Sequence, residues 1–253
     1  GKIYNHINYQ VIFFLVSIFL VFTSINLFYL SSEAPDYIFY IKYFDYFFRE
    51  TTSTGRENGL LYFFLVSCII KIQEINITPA TELHYISNSV HVINFSLYLV
   101  GLGGLYKLLE LKKFEKNNIL LSFVILNFMP FTIKLLSTMK PEILAFAILP
   151  WSLLCVELFL KYKNINYIFL SIFPNIILLS TKNSIFVTVG AIYLFIVIIN
   201  FKTFKNIKFL RAILFFAFFY FLLLYEDFLS NGYLILNHIP EGGALLIPEA
   251  ERV

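Results

Sequence analysis

Apolar runs recur along nearly the whole of this chain of 253 residues, more than a soluble domain could bury. Stretches that match the roughly 20 residues needed to cross a bilayer can be drawn at 8–30, 84–106, 117–136, 141–160, 165–181, 184–200 and 209–229. The expected fold class is therefore all-α, a polytopic membrane helical bundle of about seven spans. Composition agrees, with 59% of residues hydrophobic and 14% charged. Phe, Ile, Asn, Lys and Tyr are abundant in the manner of AT-rich codon usage, so a single Phe or Asn carries less weight than usual.

The formal net charge of +3 is distributed loop by loop and offers no nucleic-acid face. Cys68 and Cys155 each sit inside an apolar run, without metal-site or redox spacing, and read as small core hydrophobes. The first apolar run is too long for a signal peptide and has no Ala-x-Ala site, so it should remain as a span. The chain opens on Gly1 without Met and stops just after Glu249-Ala250-Glu251-Arg252-Val253, which reads as a fragment of something longer.

Loop charges give the expected orientation. The 107–116 loop carries Lys107, Lys112, Lys113 and Lys116, the 161–163 loop Lys161 and Lys163, and the 201–211 loop Lys202, Lys205, Lys208 and Arg211. All three belong in the cytoplasm by the positive-inside rule. A full span at Gly59 to Ile72 would turn the 107–116 loop outward, so that segment is expected to be a non-spanning helix. Before it, Lys42, Asp45 and Arg49 form one stripe of an otherwise apolar Tyr37–Arg49 stretch, the pattern of an interfacial helix. Residues 1–253 then form a single transmembrane domain, in which the outer loop 31–82 holds two juxtamembrane helices.

In that topology the distinctive polar groups collect outside: Glu33, Asp36, Arg56 and Glu57, then Lys140 and Glu142, then Lys182, and finally Glu226, Asp227 and His238. Carboxylates for proton transfer beside cations for a charged ligand suit an outward-facing site. Each group also has an ordinary explanation. Asp36 can cap the following helix, Glu142 after Pro141 suits a helix N-terminus, and Lys182 can snorkel at a span end. His84 and His91, at i and i+7, lack a second ligand at i+4, which argues against zinc. Asn76-Ile77-Thr78 fits a glycosylation acceptor, a weak three-residue match. Gly101-x-Gly103-Gly104 lies inside a span, where it reads as a close helix-packing face, and no phosphate loop or catalytic triad spacing stands out.

A first span followed directly by Glu33-Ala34-Pro35-Asp36-Tyr37, two juxtamembrane helices, and later Lys140-Pro141-Glu142 at the outer start of a span resembles the GT-C class of integral-membrane glycosyltransferases. The resemblance implies a donor sugar on a polyprenyl phosphate and a glycan, lipid or protein acceptor within reach of membrane lipid. It casts Asp36 as the catalytic carboxylate with Glu33 beside it, and Lys140, Lys182, Arg56 and Glu142 as substrate-binding groups. No cofactor is specified, and a divalent metal is left open; the expected location is the bacterial cytoplasmic membrane with the site facing outward. Glu33 and Asp36 stand three apart rather than as the adjacent pair common in that class. Asp36-Tyr37-x-x-Tyr40 followed by Glu57-x-Gly59-Leu60-Leu61-Tyr62 also resembles the first outer loop of O-antigen and exopolysaccharide polymerases. A transporter or a membrane scaffold is the alternative of another class; a broken span and midplane charges would mark the transporter.

Overall fold

The computed structural model describes residues 8–27, 60–72, 82–179, 181, 185, 189–193, 196, 198 and 218. Among them all regular structure is helical: α1 (Tyr9–Leu27), α2 (Leu60–Ile72), α3 (Glu82–Leu111), α4 (Lys116–Asn127), α5 (Pro130–Ser137), α6 (Glu142–Tyr162) and α7 (Asn166–Leu179), with further helical residues at 189–193. The expected 37–48 helix and the 209–229 span lie outside the described residues, except for Phe218.

Helix ends follow local chemistry. The Asn8 side chain accepts from the amides of Gln10 and Val11, an N-cap for α1. Asn164 does the same for the Asn166 amide at the start of α7. α3 and α6 both end in a lysine with left-handed backbone, Lys113 at φ 65° and Lys163 at φ 53°. The Lys163 amide returns to the Phe159 carbonyl, a C-terminal turn that sets a cation at the negative end of the helix dipole.

The seven-span expectation is not supported. Among the described residues two helices, Ile86–Leu111 within α3 and Glu142–Tyr162, are long and apolar enough to cross a membrane. The span expected at 117–136 is broken: α4 and α5 meet at a 66° bend and count as a third crossing only if taken together. Proline explains the break. Pro130 has no N–H to continue the ladder of α4, and its ring drives Met129 to extended backbone at φ −70°, ψ 130°. Thr132 then donates back to the Leu126 carbonyl at 2.7 Å, closing the corner. α1, α2 and α7 are apolar but shorter. The 13 residues of α2 rise only about 20 Å, short of a hydrocarbon core of about 30 Å.

Side-chain contacts fix the directions of the packed helices. Val100 of α3 accepts from the Trp151 indole of α6 at 3.1 Å, and Tyr98 stacks on Phe146 at 5.4 Å. Lys112, just past α3, pairs with Glu157 near the end of α6 at 2.7 Å. Residue numbers rise together along both helices, so α3 and α6 run parallel. α1 runs parallel to α4 by the same test, through Asn8 with Asn117, Phe14 with Phe123 and Ser17 with Asn127. α7 runs back along α6, since Phe159 shares a cluster with Ile168 while Ser152 bonds Asn175.

In lipid, burying apolar surface between helices gains little, so close fit and hydrogen bonds decide which faces meet. A side chain at Gly101 would stand 2.6 Å from the Phe146 ring and 2.9 Å from its carbonyl, and one at Gly104 would stand 2.8 Å from the Trp151 indole. At Gly103 the nearest atom is 3.8 Å away. Two of the three glycines therefore let α3 approach α6, the packing face expected from sequence. The main core gathers Val21 and Ile25 of α1, Tyr62, Phe63 and Val66 of α2, Val90, Tyr98 and Leu102 of α3, and Ile143 and Leu144 of α6. Cys155 lies buried in α6 and Cys68 is half-buried, both as free thiols.

Candidate functional site

The parallel run of α3 and α6 gives the bundle two unlike ends. At one end lie Lys107, Lys112, Lys113 and Lys116 together with Lys161 and Lys163, the two basic loops that the sequence assigns to one side. At the other end α6 begins. Lys140 and Glu142 flank Pro141, which serves as the N-cap of α6 with helical backbone at φ −65°, ψ −14°. Both side chains are half-buried, and Glu142 buries one carboxylate oxygen, Oε2. Glu142 occupies the first turn, where the helix dipole favours an anion.

Other helix ends collect at the same level. α1 starts beside Asn117 at the basic end and so finishes, at Leu27, toward the start of α6. α2 begins at Leu60, and its Tyr62 reaches Asn94 beside Thr138. α7, running back along α6, also finishes toward this end. Four of the expected site residues, Glu33, Asp36, Arg56 and Lys182, lie outside the described residues, as does the side chain of His84. In sequence, however, Glu33 and Asp36 follow α1 closely, Arg56 comes shortly before α2, and Lys182 comes just after α7.

What holds the turn before Lys140 is Asn94, a residue the sequence reading passed over. Its Oδ1 accepts from the Tyr62 hydroxyl at 2.8 Å, and its amide group donates to the Leu136 carbonyl at 2.9 Å and the Thr138 carbonyl at 2.8 Å. Those carbonyls belong to the last turn of α5, where helical acceptors have no N–H of their own. One fully buried amide thus caps α5, ties in α2 and sets the chain that leads into Lys140. The available signal was a polar stripe at helical spacing, Ser87, His91, Asn94 and Tyr98, inside an apolar run.

Further along the stripe, the Tyr98 hydroxyl donates to Asn127 Oδ1, and Asn127 donates to Ser17 Oγ at 2.7 Å, joining α3, α4 and α1 beside the bend. His91, one turn from Asn94, is 5% exposed, and neither ring nitrogen has a hydrogen-bond partner. Among the described residues no group of three or more His, Cys, Asp or Glu side chains assembles into a metal cage. The described part of this end thus offers a cation, a carboxylate and a helix N-terminus on a turn fixed by buried hydrogen bonds. That set can hold an anionic group such as a phosphate. Comparison with protein-family models, curated proteins and solved structures finds no match to this chain.

Proposed function

We propose that this chain is an integral-membrane glycosyltransferase that moves a sugar from a polyprenyl-phosphate carrier to an acceptor at the outer face of a bacterial cytoplasmic membrane. The observation that supports it is the gathering of helix ends: the ends nearest in sequence to Glu33, Asp36, Arg56 and Lys182 lie toward the end of the bundle that carries Lys140 and Glu142. In this reading an acceptor hydroxyl oxygen attacks the anomeric carbon of the donor while Asp36 takes its proton. The bond from that carbon to the phosphate oxygen breaks, and the phosphate leaves with the electron pair. Lys140, Lys182 and Arg56 stabilise the charge that grows on the phosphate oxygens. Glu33 supports the polarity of the base, and Glu142 holds the sugar hydroxyls or orients Lys140.

The test is transfer by the reconstituted protein. Asp36→Asn keeps size and helix-capping ability but loses the proton-accepting charge, so transfer falls by about 10²-fold or more while the lipid donor still binds. Lys140→Ala weakens donor binding and turnover together. Near-normal transfer by Asp36→Asn would return that residue to the role of a helix cap. The polymerase reading shares the donor chemistry and differs in moving a whole glycan, which product length distinguishes. A transporter is the second reading, favoured by the 66° break between α4 and α5. Solute flux into vesicles without any covalent product would support it over transfer.

A further inference from the structure

At the basic end of the bundle the lysines outnumber what the fold needs. Two of them are paired, Lys107 with Glu110 at 2.9 Å and Lys112 with Glu157 at 2.7 Å. The second pair holds the loop after α3 against the last turns of α6, which brings Lys113 and Lys116 to the same end as Lys161 and Lys163. In the 107–116 and 157–163 stretches one further carboxylate, Glu115, stands against those four cations. All five side chains are exposed. Helix chemistry accounts for only part of this. Lys113 and Lys163 follow helix C-termini, where the dipole favours a cation, but their left-handed backbone is one that glycine adopts at less cost. Lys116 opens α4, at the positive end of the dipole, and no acid offsets it in that first turn.

Aromatic side chains are set among these charges. Phe114 follows Lys113, and Tyr162 stands between Lys161 and Lys163; they are 56% and 55% exposed. The Lys161 ammonium lies 5.2 Å from the centre of the Tyr162 ring. Lysines and exposed aromatics at the ends of apolar helices settle at the headgroup level of a bilayer. A free phosphate or a soluble acidic partner would be met by charge alone, with no use for apolar rings beside it. A phospholipid presents a phosphate and an acyl chain together. If that lipid is anionic, its charge also balances the surplus of lysine. We infer that this end docks an anionic phospholipid, its phosphate held by the lysines of the two loops and the first carbons of its chains beside Phe114 and Tyr162.

The inference requires only that the bundle sits in lipid, and its test reads no enzymatic activity. The full chain, purified in detergent, is unfolded thermally in mixed micelles to which phosphatidylglycerol or phosphatidylcholine is added at the same ratio of lipid to detergent. Phosphatidylcholine carries the same phosphate but no net charge. The expected result is a saturable rise of the midpoint with phosphatidylglycerol alone, smaller in high salt. Lys116→Gln combined with Lys161→Gln takes one cation from each loop. That pair should raise the half-saturating amount of phosphatidylglycerol roughly tenfold or more, with the midpoint in phosphatidylcholine nearly unchanged. Lys134→Gln combined with Lys140→Gln removes the same charge from the other end of the bundle and should leave the response as in the wild type. Where the first pair fails to fold, Lys113→Gln combined with Lys163→Gln carries the comparison. Equal midpoints in the two lipids overturn the site. A phosphatidylglycerol response that the first pair keeps in full, or that the second pair abolishes, overturns it as well by placing the lipid elsewhere.

Discussion

The two ends of the α3–α6 pair are fastened by different chemistry. At the end where α6 begins, Asn94 makes three hydrogen bonds with no water in reach. At the end where both helices finish, Lys112 and Glu157 form an ion pair whose side chains are 49% and 28% exposed. A neutral amide loses little on leaving water if every donor and acceptor finds a partner, whereas separated charges would lose a great deal. An exposed ion pair keeps its hydration and is screened by salt. Each fastening suits its solvent. Between them lies a stretch held by neither, where glycines bring the backbones together.

Removing the buried fastening is expected to cost most. Asn94→Leu leaves the Tyr62 hydroxyl and the carbonyls of Leu136 and Thr138 without this partner, for a loss of about 3 kcal/mol in equilibrium unfolding from mixed micelles. The same change should loosen the turn before Lys140, seen as faster proteolysis between α5 and α6. A loss below about 0.5 kcal/mol would mean that the amide ties nothing together. The middle of the pair comes next. Gly101→Ala pushes a methyl group into Phe146 and its backbone, at about 1–3 kcal/mol, while Gly103→Ala, with 3.8 Å to spare, should be nearly neutral. Equal effects at both positions would show that backbone propensity, not fit, governs the seam. Lys112→Ala should cost least, about 0–1 kcal/mol, and the difference from wild type should vanish in high salt. A large, salt-insensitive loss there would remove the contrast between the ends.

Helical class and helix position were readable because apolar periodicity survives any detail of packing. The stretches expected at 8–30, 84–106, 141–160 and 165–181 became Tyr9–Leu27, Glu82–Leu111, Glu142–Tyr162 and Asn166–Leu179. The 117–136 stretch misled because hydropathy averages over its own interruption: Pro130 was visible, yet a window average gives it no special weight. The glycine face was legible for the opposite reason, since three glycines in four positions have few other uses inside a span. At the candidate site, Lys140 and Glu142 stood out as charges in an apolar chain. Asn94 did not, because asparagine is common here and its worth depends on carbonyls some 40 residues later in the chain, separations of 42 and 44 that no local pattern encodes.

The parallel course of α3 and α6 also sets a schedule for biosynthesis. Val100 and Trp151, which touch in the finished bundle, are separated by 51 residues. At about 5–20 residues per second, the ribosome delivers the second roughly 3–10 s after the first. During that interval the glycine face of α3 has no mate, and the amide of Asn94 waits for carbonyls that are still being made. α4 can meet α1 and α3 as it emerges, but the glycine seam closes only when α6 has entered the membrane. A nascent chain arrested between α5 and α6 would already offer Asn94 the carbonyls of Leu136 and Thr138 but would leave the face of Gly101 and Gly104 open to lipid, and whatever inserts this protein has to shield that face until α6 arrives.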